Sequence, residues 1–205
     1  MSTIQYYLFK RALEEENIPE KGIVTAHHIP ANRNGSDTYP FVFPKSFLQE
    51  VEKLDSRKEY DYFFAGTIIG EHRQFLKKWD KPRSYIKTTQ QNGFIHPNND
   101  PTGYYGENFF NKNYFQQLKN SKFTLCPPGC SYDINLGKYT FAWTYRFWEA
   151  CLCGSIPVTD IIDDNWHKEY KVYKIHDKHI YREDWVAHNY NLVKKTHFIW
   201  TDDLK

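Results

Sequence analysis

A basic and an acidic side chain stand three residues apart at the start of a predicted helix. Arg146 lies in the first turn of a helix predicted over 144–153, and Glu149 follows about one turn later. An arginine here can pair with a diphosphate, and a carboxylate can accept hydrogen bonds from two sugar hydroxyls. The same spacing is also ordinary for a structural ion pair on a helix surface, which the residue types alone favour.

The flanking sequence predicts the elements that would position these two side chains. Residues 123–126 are a short apolar run typical of a buried strand, and Pro127-Pro128-Gly129 ends it. Gly154 suits the C-cap of the helix, and residues 155–159 return as a strand. In such a βαβ unit the helix begins at the carboxyl edge of the sheet, where open α/β folds bind ligands and free N–H groups suit a phosphate.

This segment resembles the exostosin family of glycosyltransferases. The family pattern has a Leu-Cys-Pro-x-Gly stretch, a Ser/Thr-x-Arg-aromatic-Glu-Ala helix start and a Gly-x-Ile-Pro-Val strand, which residues 125–129, 144–150 and 154–158 match. An upstream Phe-x-Gly element with a following arginine is similar to residues 63–66 and Arg73. The resemblance covers residues 60–164, about half of the chain.

The resemblance implies a GT-B architecture, with a Rossmann-like donor domain, and inverting transfer of a sugar from a nucleotide diphosphate, expected to be UDP. It implies that Arg146 contacts the diphosphate, that Glu149 contacts the ribose, and that Thr144 meets a phosphate near the helix start. Gly66 permits close backbone approach, and Arg73 could reach the same diphosphate. The predicted nucleotide-sugar site therefore comprises Gly66, Arg73, Pro128, Gly129, Thr144, Arg146 and Glu149.

The fold class predicted is α/β, with a Rossmann-like, mostly parallel sheet and helices on both faces. With 205 residues, the chain is long enough for one good core and a small appendage. We expect a short N-terminal extension over 1–58, a truncated acceptor-side portion, and a nucleotide-sugar-binding domain over 59–205. The predicted strands are 23–26, 61–65, 84–89, 123–126, 155–159 and 171–175, and the predicted helices are 4–17, 47–54, 71–79, 112–120, 144–153 and 182–195.

Two stretches are predicted as loops. Residues 27–46 are rich in Pro, Asn, Gly and Ser and are expected to form a long loop. Residues 130–143 lengthen the connection between the Leu-Cys-Pro motif and the helix beyond what the family usually has. This insertion is consistent with a lid, with part of the sugar pocket, or with a block of the site.

The general base that inverting transfer requires has no single assignment. Candidates are His27, His28 and Asp37 ahead of the donor domain, and Asp100 in the loop over 90–108. Each is equally consistent with a solvated loop residue, because geometry identifies a base before its pKa does.

No metal or cofactor is expected, the nucleotide sugar being a substrate. The chain contains no Asp-x-Asp motif of the kind that holds a divalent cation in GT-A transferases, although Mg²⁺ needs few protein ligands. Cys126-x3-Cys130 and Cys151-x-Cys153 lack the usual zinc spacings, so core packing is the favoured interpretation.

Composition limits the classes of binding partner and the cellular compartment that we expect. The net charge of +2 gives no overall attraction to nucleic acid or membrane. The sequence has no apolar run of transmembrane length and no signal-peptide pattern, and its four clustered cysteines suit a reduced, cytoplasmic protein. Aromatic residues reach 18%, which suits core packing first and stacking on sugars or bases second.

The expected partners are a nucleotide sugar and a glycan or glycoprotein acceptor, with a homo-oligomer or a partner chain possible. One alternative is a non-catalytic binding module whose acceptor half belongs to another chain. A second is a transferase acting on modified DNA bases, which the near-neutral charge disfavours without excluding nucleic acid.

Overall fold

The computed structural model describes residues 3–19, 31–34, 37–40, 42–68, 76, 78–90, 110–127, 129–133, 138–142, 145–160 and 168–198. In chain order the elements are α1 (Thr3–Glu15), β1 (Ala31–Asn34), β2 (Asp37–Pro40), α2 (Lys45–Glu52), β3 (Tyr60–Ile68), β4 (Ser84–Gln90), α3 (Lys112–Lys119), β5 (Ser121–Leu125), β6 (Gly129–Asp133), β7 (Lys138–Ala142), α4 (Arg146–Leu152), β8 (Ile156–Val158) and α5 (Glu183–Thr196).

A four-stranded parallel sheet organises the fold, in the order β4-β3-β5-β8. The prediction of an α/β fold built on a parallel sheet is confirmed. The chain leaves β3 for β4 on one side and then returns to place β5 on the other. The carboxyl ends of β3 and β5 therefore flank the point at which the strand order reverses, where open α/β sheets form a ligand crevice.

Both faces of the sheet are covered, as a parallel sheet requires. The side chains of neighbouring β3 residues point to opposite faces of the sheet, because side chains alternate along a strand. Phe63 packs in a core with Phe147 and Trp148, whereas Phe64 packs in a second core with Leu125. Apolar residues on both sides explain why β3 and β5 read as continuous hydrophobic runs rather than as alternating ones.

The helix that carries the predicted site is buried along all seven of its residues. Its end forms a Schellman motif: Gly154 has φ 68°, its N–H donates to Cys151 O at 3.2 Å, and Ser155 N–H donates to Ala150 O at 2.9 Å. The C-cap itself is Cys153, and Gly154, predicted as the C-cap, is the next residue, where this motif requires a positive φ. The helix begins at Arg146, two residues after the predicted start.

Two segments that the sequence analysis left irregular form antiparallel hairpins. Residues 31–40, predicted as loop, contain β1 and β2, with Asn34 opposite Asp37. The Asn34-Gly35 pair is a hairpin signal that the abundance of turn residues obscured. Much of the 130–143 insertion forms the β6–β7 hairpin, whose base pairs Gly129 with Ala142.

Other boundaries differ in detail. The strand predicted over 171–175 is reduced to one parallel bridge between Tyr173 and Val158. Of the helix predicted over 71–79, residues 76, 78 and 79 adopt a 3₁₀ turn and the others lie outside the described residues. The strand predicted over 23–26 also lies outside them. None of the helices within the described ranges is long and apolar enough to cross a membrane.

The described part of the N-terminal extension shares the main core. Phe43 and Phe47 pack in the same cluster as Phe147 and Trp148, and Phe43 N–H donates to His197 O at 2.8 Å. The domain boundary proposed at residue 59 stays a prediction.

A lysine joins the amino ends of the strands. Lys58 Nζ donates to Lys119 O at 2.8 Å, Ser121 O at 3.2 Å and Gly154 O at 2.6 Å. Two of these carbonyls lie at or just beyond the carboxyl ends of α3 and α4, where a cation is favoured. Burial lowers the pKa of Lys58 to about 8, so the group still carries its proton at neutral pH. All three of its donors are therefore used inside the fold.

We predict that Lys58→Met lowers the free energy of unfolding by about 2–4 kcal/mol, because three carbonyls lose a charged donor. Chemical denaturation at pH 7 measures it. Lys53→Met is the matched control, since Lys53 is 67% exposed and pairs with Glu50 at the surface. Equal stability of the two variants would contradict a structural role for the Lys58 bonds.

Candidate functional site

Arg146 projects from the first residue of α4 to the carboxyl end of β3. Its Nη2 donates to Ala65 O at 2.7 Å, and its guanidinium carbon lies 4.5 Å from the centroid of the Phe64 ring. The side chain is 93% buried, at 7% relative exposure. A hydrogen bond and a cation–π contact therefore fix a desolvated positive charge beside the point where the strand order reverses.

The position of the Arg146 guanidinium leaves no room for a side chain at Gly66. A Cβ atom at Gly66 would lie 2.6 Å from Arg146 Nη2 and 3.3 Å from the Phe64 ring. The sequence analysis expected a glycine here so that a ligand could approach the backbone. The group that approaches it in the structure is the guanidinium itself.

One donor of the guanidinium has no acceptor in the described part of the chain. Arg146 Nε is buried and makes no hydrogen bond there. Leaving a buried donor unsatisfied costs on the order of 1–3 kcal/mol, more for a charged group, so such atoms are rare in native proteins. An oxygen of a bound anion would satisfy it, once the atoms that cover Nε move aside.

Glu149 lies deeper than Arg146, at 1% relative exposure. Its Oε2 accepts a hydrogen bond from the Tyr114 hydroxyl at 2.7 Å. Burial, and then the neighbouring Glu149 charge, raise the pKa of Tyr114 well above its ordinary value, so Tyr114 remains a donor. A ribose bound by Glu149 therefore has to share the carboxylate with this hydroxyl or displace it.

Cys126 follows the last residue of β5 and completes the cluster. Burial raises the pKa of the Cys126 thiol to about 12, while the Arg146 charge opposes and the Glu149 charge adds to this shift. Both charges thus act on this thiol, which donates to Thr124 O at 3.4 Å. The structure brings together one cation, one carboxylate and two neutral donors.

The cysteines that the structure describes are not arranged for a metal. Cys126, Cys151 and Cys153 are free and buried, in agreement with core packing. Within the described ranges, no three His, Cys, Asp or Glu side chains form a group able to hold a metal ion.

The remaining predicted site residues are only partly placed. Gly129 opens β6, and Asp37 opens β2, where the backbone alone is described. The positions outside the described residues are Arg73, Pro128 and Thr144 of the nucleotide-sugar site and His27, His28 and Asp100 among the candidate bases.

Sequence reasoning missed the residues that hold the two charged groups. Tyr114, on α3, and Phe64, on β3, are 35 residues or more from the charges they contact. Each looks like an ordinary core aromatic in the sequence, flanked by Phe115 and Phe63 respectively. No local signal separates them from their neighbours, because their role depends on which elements pack together.

Comparison with known proteins adds no family evidence. No protein-family model matches this chain, and no curated protein matches it. The resemblance to exostosin enzymes therefore rests on the motif residues alone.

We predict that Cys126, Cys151 and Cys153 resist iodoacetamide at pH 8 in the native protein. Burial raises the pKa of all three thiols, and only the thiolate reacts. Peptide mass spectrometry after timed labelling measures this, with labelling in guanidinium chloride as the control. Rapid alkylation of native Cys126 would contradict the closed cluster around Arg146.

Proposed function

We propose that the chain is a glycosyltransferase that binds a nucleotide-diphosphate sugar, with UDP as the expected nucleotide, at the carboxyl edge of its sheet. The observation that carries the proposal is the Nε of a buried, fixed arginine at that edge, which has no acceptor among the described residues. The motif resemblance points to the same residue independently of its geometry.

Preorganisation of the cation supports a role in catalysis. Sugar transfer leaves a negative charge on the departing diphosphate, and fixed positive groups in a dry site stabilise such charge strongly. Arg146 is already oriented by Ala65 O and Phe64, so it need not reorganise when the charge develops. The guanidinium donates through Nε to a phosphoryl oxygen and keeps its Nη2 bond to the strand.

Glu149 and Tyr114 form the neighbouring part of the proposed site. The resemblance implies that Glu149 binds the ribose, and its bond to Tyr114 fixes the carboxylate in one orientation. The parallel sheet and its strand reversal suit a Rossmann-like, GT-B type donor domain. The proton acceptor for the attacking hydroxyl is unassigned, and His27, His28, Asp37 and Asp100 stay candidates.

A binding module without transferase activity would use the same cation in the same way. The two possibilities differ in turnover: a transferase releases UDP from a UDP-sugar when an acceptor is present, and a module only binds. Incubation with UDP-sugars and a glycan acceptor array, with UDP release as the readout, separates them.

We predict that UDP raises the melting temperature of the wild-type protein. At 100 times the dissociation constant the stabilisation is about 2.7 kcal/mol. Arg146→Lys should weaken UDP binding roughly 10- to 100-fold, because a charge-assisted hydrogen bond contributes about 1.5–3 kcal/mol. Calorimetric titration measures the affinities.

Two further variants sharpen this experiment. Gly66→Ala keeps every charge but places a Cβ 2.6 Å from Nη2, so it should displace the guanidinium and weaken UDP binding too. Arg11→Lys is the control, because Arg11 is exposed on α1 and pairs with Glu14 and Glu15. UDP binding that is equal in all four proteins would refute the proposed diphosphate contact.

We also predict that UDP affinity is unchanged by EDTA, since Arg146 supplies the positive charge that a divalent cation supplies elsewhere. UDP titrations with EDTA at about 1 mM, and others with added Mg²⁺ or Mn²⁺, test this. Ionic strength is held constant, because salt screens charge interactions. A gain in affinity of an order of magnitude with either cation would contradict a metal-independent site.

A further inference from the structure

A row of four partly exposed aromatic rings crosses the face of the sheet on which Phe64, Phe123 and Leu125 form their core. It runs from Trp79 through His179 and Tyr173 to Trp185, and successive ring centroids are 5.6, 5.3 and 4.8 Å apart. Hydrogen bonds fix His179: its ring nitrogens contact the Tyr62 hydroxyl at 3.0 Å and Lys174 O at 2.9 Å. The row is thus a rigid surface feature.

A cation stands at each end of this ring row. Lys81 Nζ lies 5.6 Å from the Trp79 ring centroid, and the Arg182 guanidinium carbon lies 5.3 Å from the centroid of a Trp185 ring. Next to His179, Ile180 is 54% exposed, which is unusual for so large an apolar side chain in the described part of the chain. Partly exposed rings, an apolar residue and cations therefore share one surface.

The two segments that contain the ring row carry a net positive charge. Residues 78–83 and 171–185 together hold seven basic and four acidic residues, a net charge of +3, whereas the whole chain carries +2. The rest of the chain therefore has a net charge of −1. The exposed basic side chains of these two segments, here called the positive patch, are those of Lys78, Lys81, Arg83, Lys171, Lys174, Lys178 and Arg182.

The acidic residues of these segments are Asp80, Asp177, Glu183 and Asp184, and Asp61 pairs with Arg83 at 3.6 Å. Asp177 Oδ2 accepts from the Lys174 backbone N–H at 2.8 Å, and Asp184 pairs with Arg182 at 2.7 Å. Asp80 is exposed between Lys78 and Lys81. Lys78, Lys81, Lys174 and Lys178 form no described ion pair of 4.0 Å or less, so their charge is directed to solvent.

We infer that this surface, the ring row with its flanking cations, binds single-stranded nucleic acid. Rings with accessible edges contact unpaired bases, guanidinium planes stack on them, and ammonium groups follow the phosphates, a combination typical of binding without sequence preference. A duplex does not expose the base faces that the row would contact. This surface shares no residue with the Arg146 cluster, and the inference does not depend on the proposed transferase activity.

A fluorescein-labelled oligothymidylate of about 12 nucleotides is the probe, a length within the range of known single-strand sites. Fluorescence anisotropy is measured with the full chain across a salt series. The double variant Lys174→Gln/Lys178→Gln should bind at least 10-fold more weakly at low salt. The slope of log affinity against log salt should fall by roughly 1.4, about 0.7 for each lost phosphate contact.

The matched control is Lys10→Gln/Lys53→Gln, which makes the same change in net charge at two exposed lysines that pair with Glu14 and Glu50. It should change the affinity less than two-fold. All four substituted side chains are at the surface, so the variants are expected to fold. Their melting temperatures verify this.

Three results would overturn the inference. They are no measurable binding of the wild-type protein at low salt, equal losses in the two double variants, and competition by polyglutamate as effective as that by the unlabelled oligonucleotide. The last result would mean that the patch recognises negative charge alone. Loss of oligonucleotide binding with UDP binding intact supports two separate sites.

Discussion

The structure depends on a positive charge held out of water at the end of a strand. Burying a guanidinium is costly unless its donors and its charge are compensated. Ala65 O and the face of Phe64 provide part of that compensation, and the missing side chain of Gly66 provides the room. The helix beneath it is buried on every side, so Arg146 cannot swing out to solvent without disturbing the core.

The two ends of the sheet use cations in opposite ways. At the amino ends, Lys58 gives all three donors to backbone carbonyls, so its role is complete within the fold. At the carboxyl ends, Arg146 retains a buried donor without an acceptor in the described residues. Saturated bonding marks a structural group, whereas an unsatisfied charged donor at a strand reversal is where a ligand oxygen is to be sought.

Local sequence patterns predicted the parallel sheet, because its strands are short apolar runs that stand out from the turn residues around them. The apolar run before Pro127 forms β5, and Gly154 directly follows the helix C-cap with the positive φ that favours glycine. Arg146 and Glu149 were identified from their spacing and motif. Their burial was not predicted, because spacing and motif do not show which elements pack against the helix.

What the sequence could not reveal depends on contacts between distant segments. The partners of the charged groups, Phe64 and Tyr114, lie 82 and 35 residues away along the chain from the groups they contact. The ring row likewise combines Trp79 with residues about a hundred positions later. The total charge of +2 does not show that the two segments carrying the ring row are net positive while the rest of the chain is net negative.

The most direct test of the diphosphate contact observes the unsatisfied donor itself. In a ¹H–¹⁵N spectrum of arginine side chains, the Nε–H signal of Arg146 can be assigned by its absence in Arg146→Lys. Titration with UDP should move this signal downfield, as expected when an N–H gains a charged acceptor, and should slow its exchange with water. If UDP saturates the protein and this signal stays unchanged, the anion binds elsewhere and the proposed site is wrong.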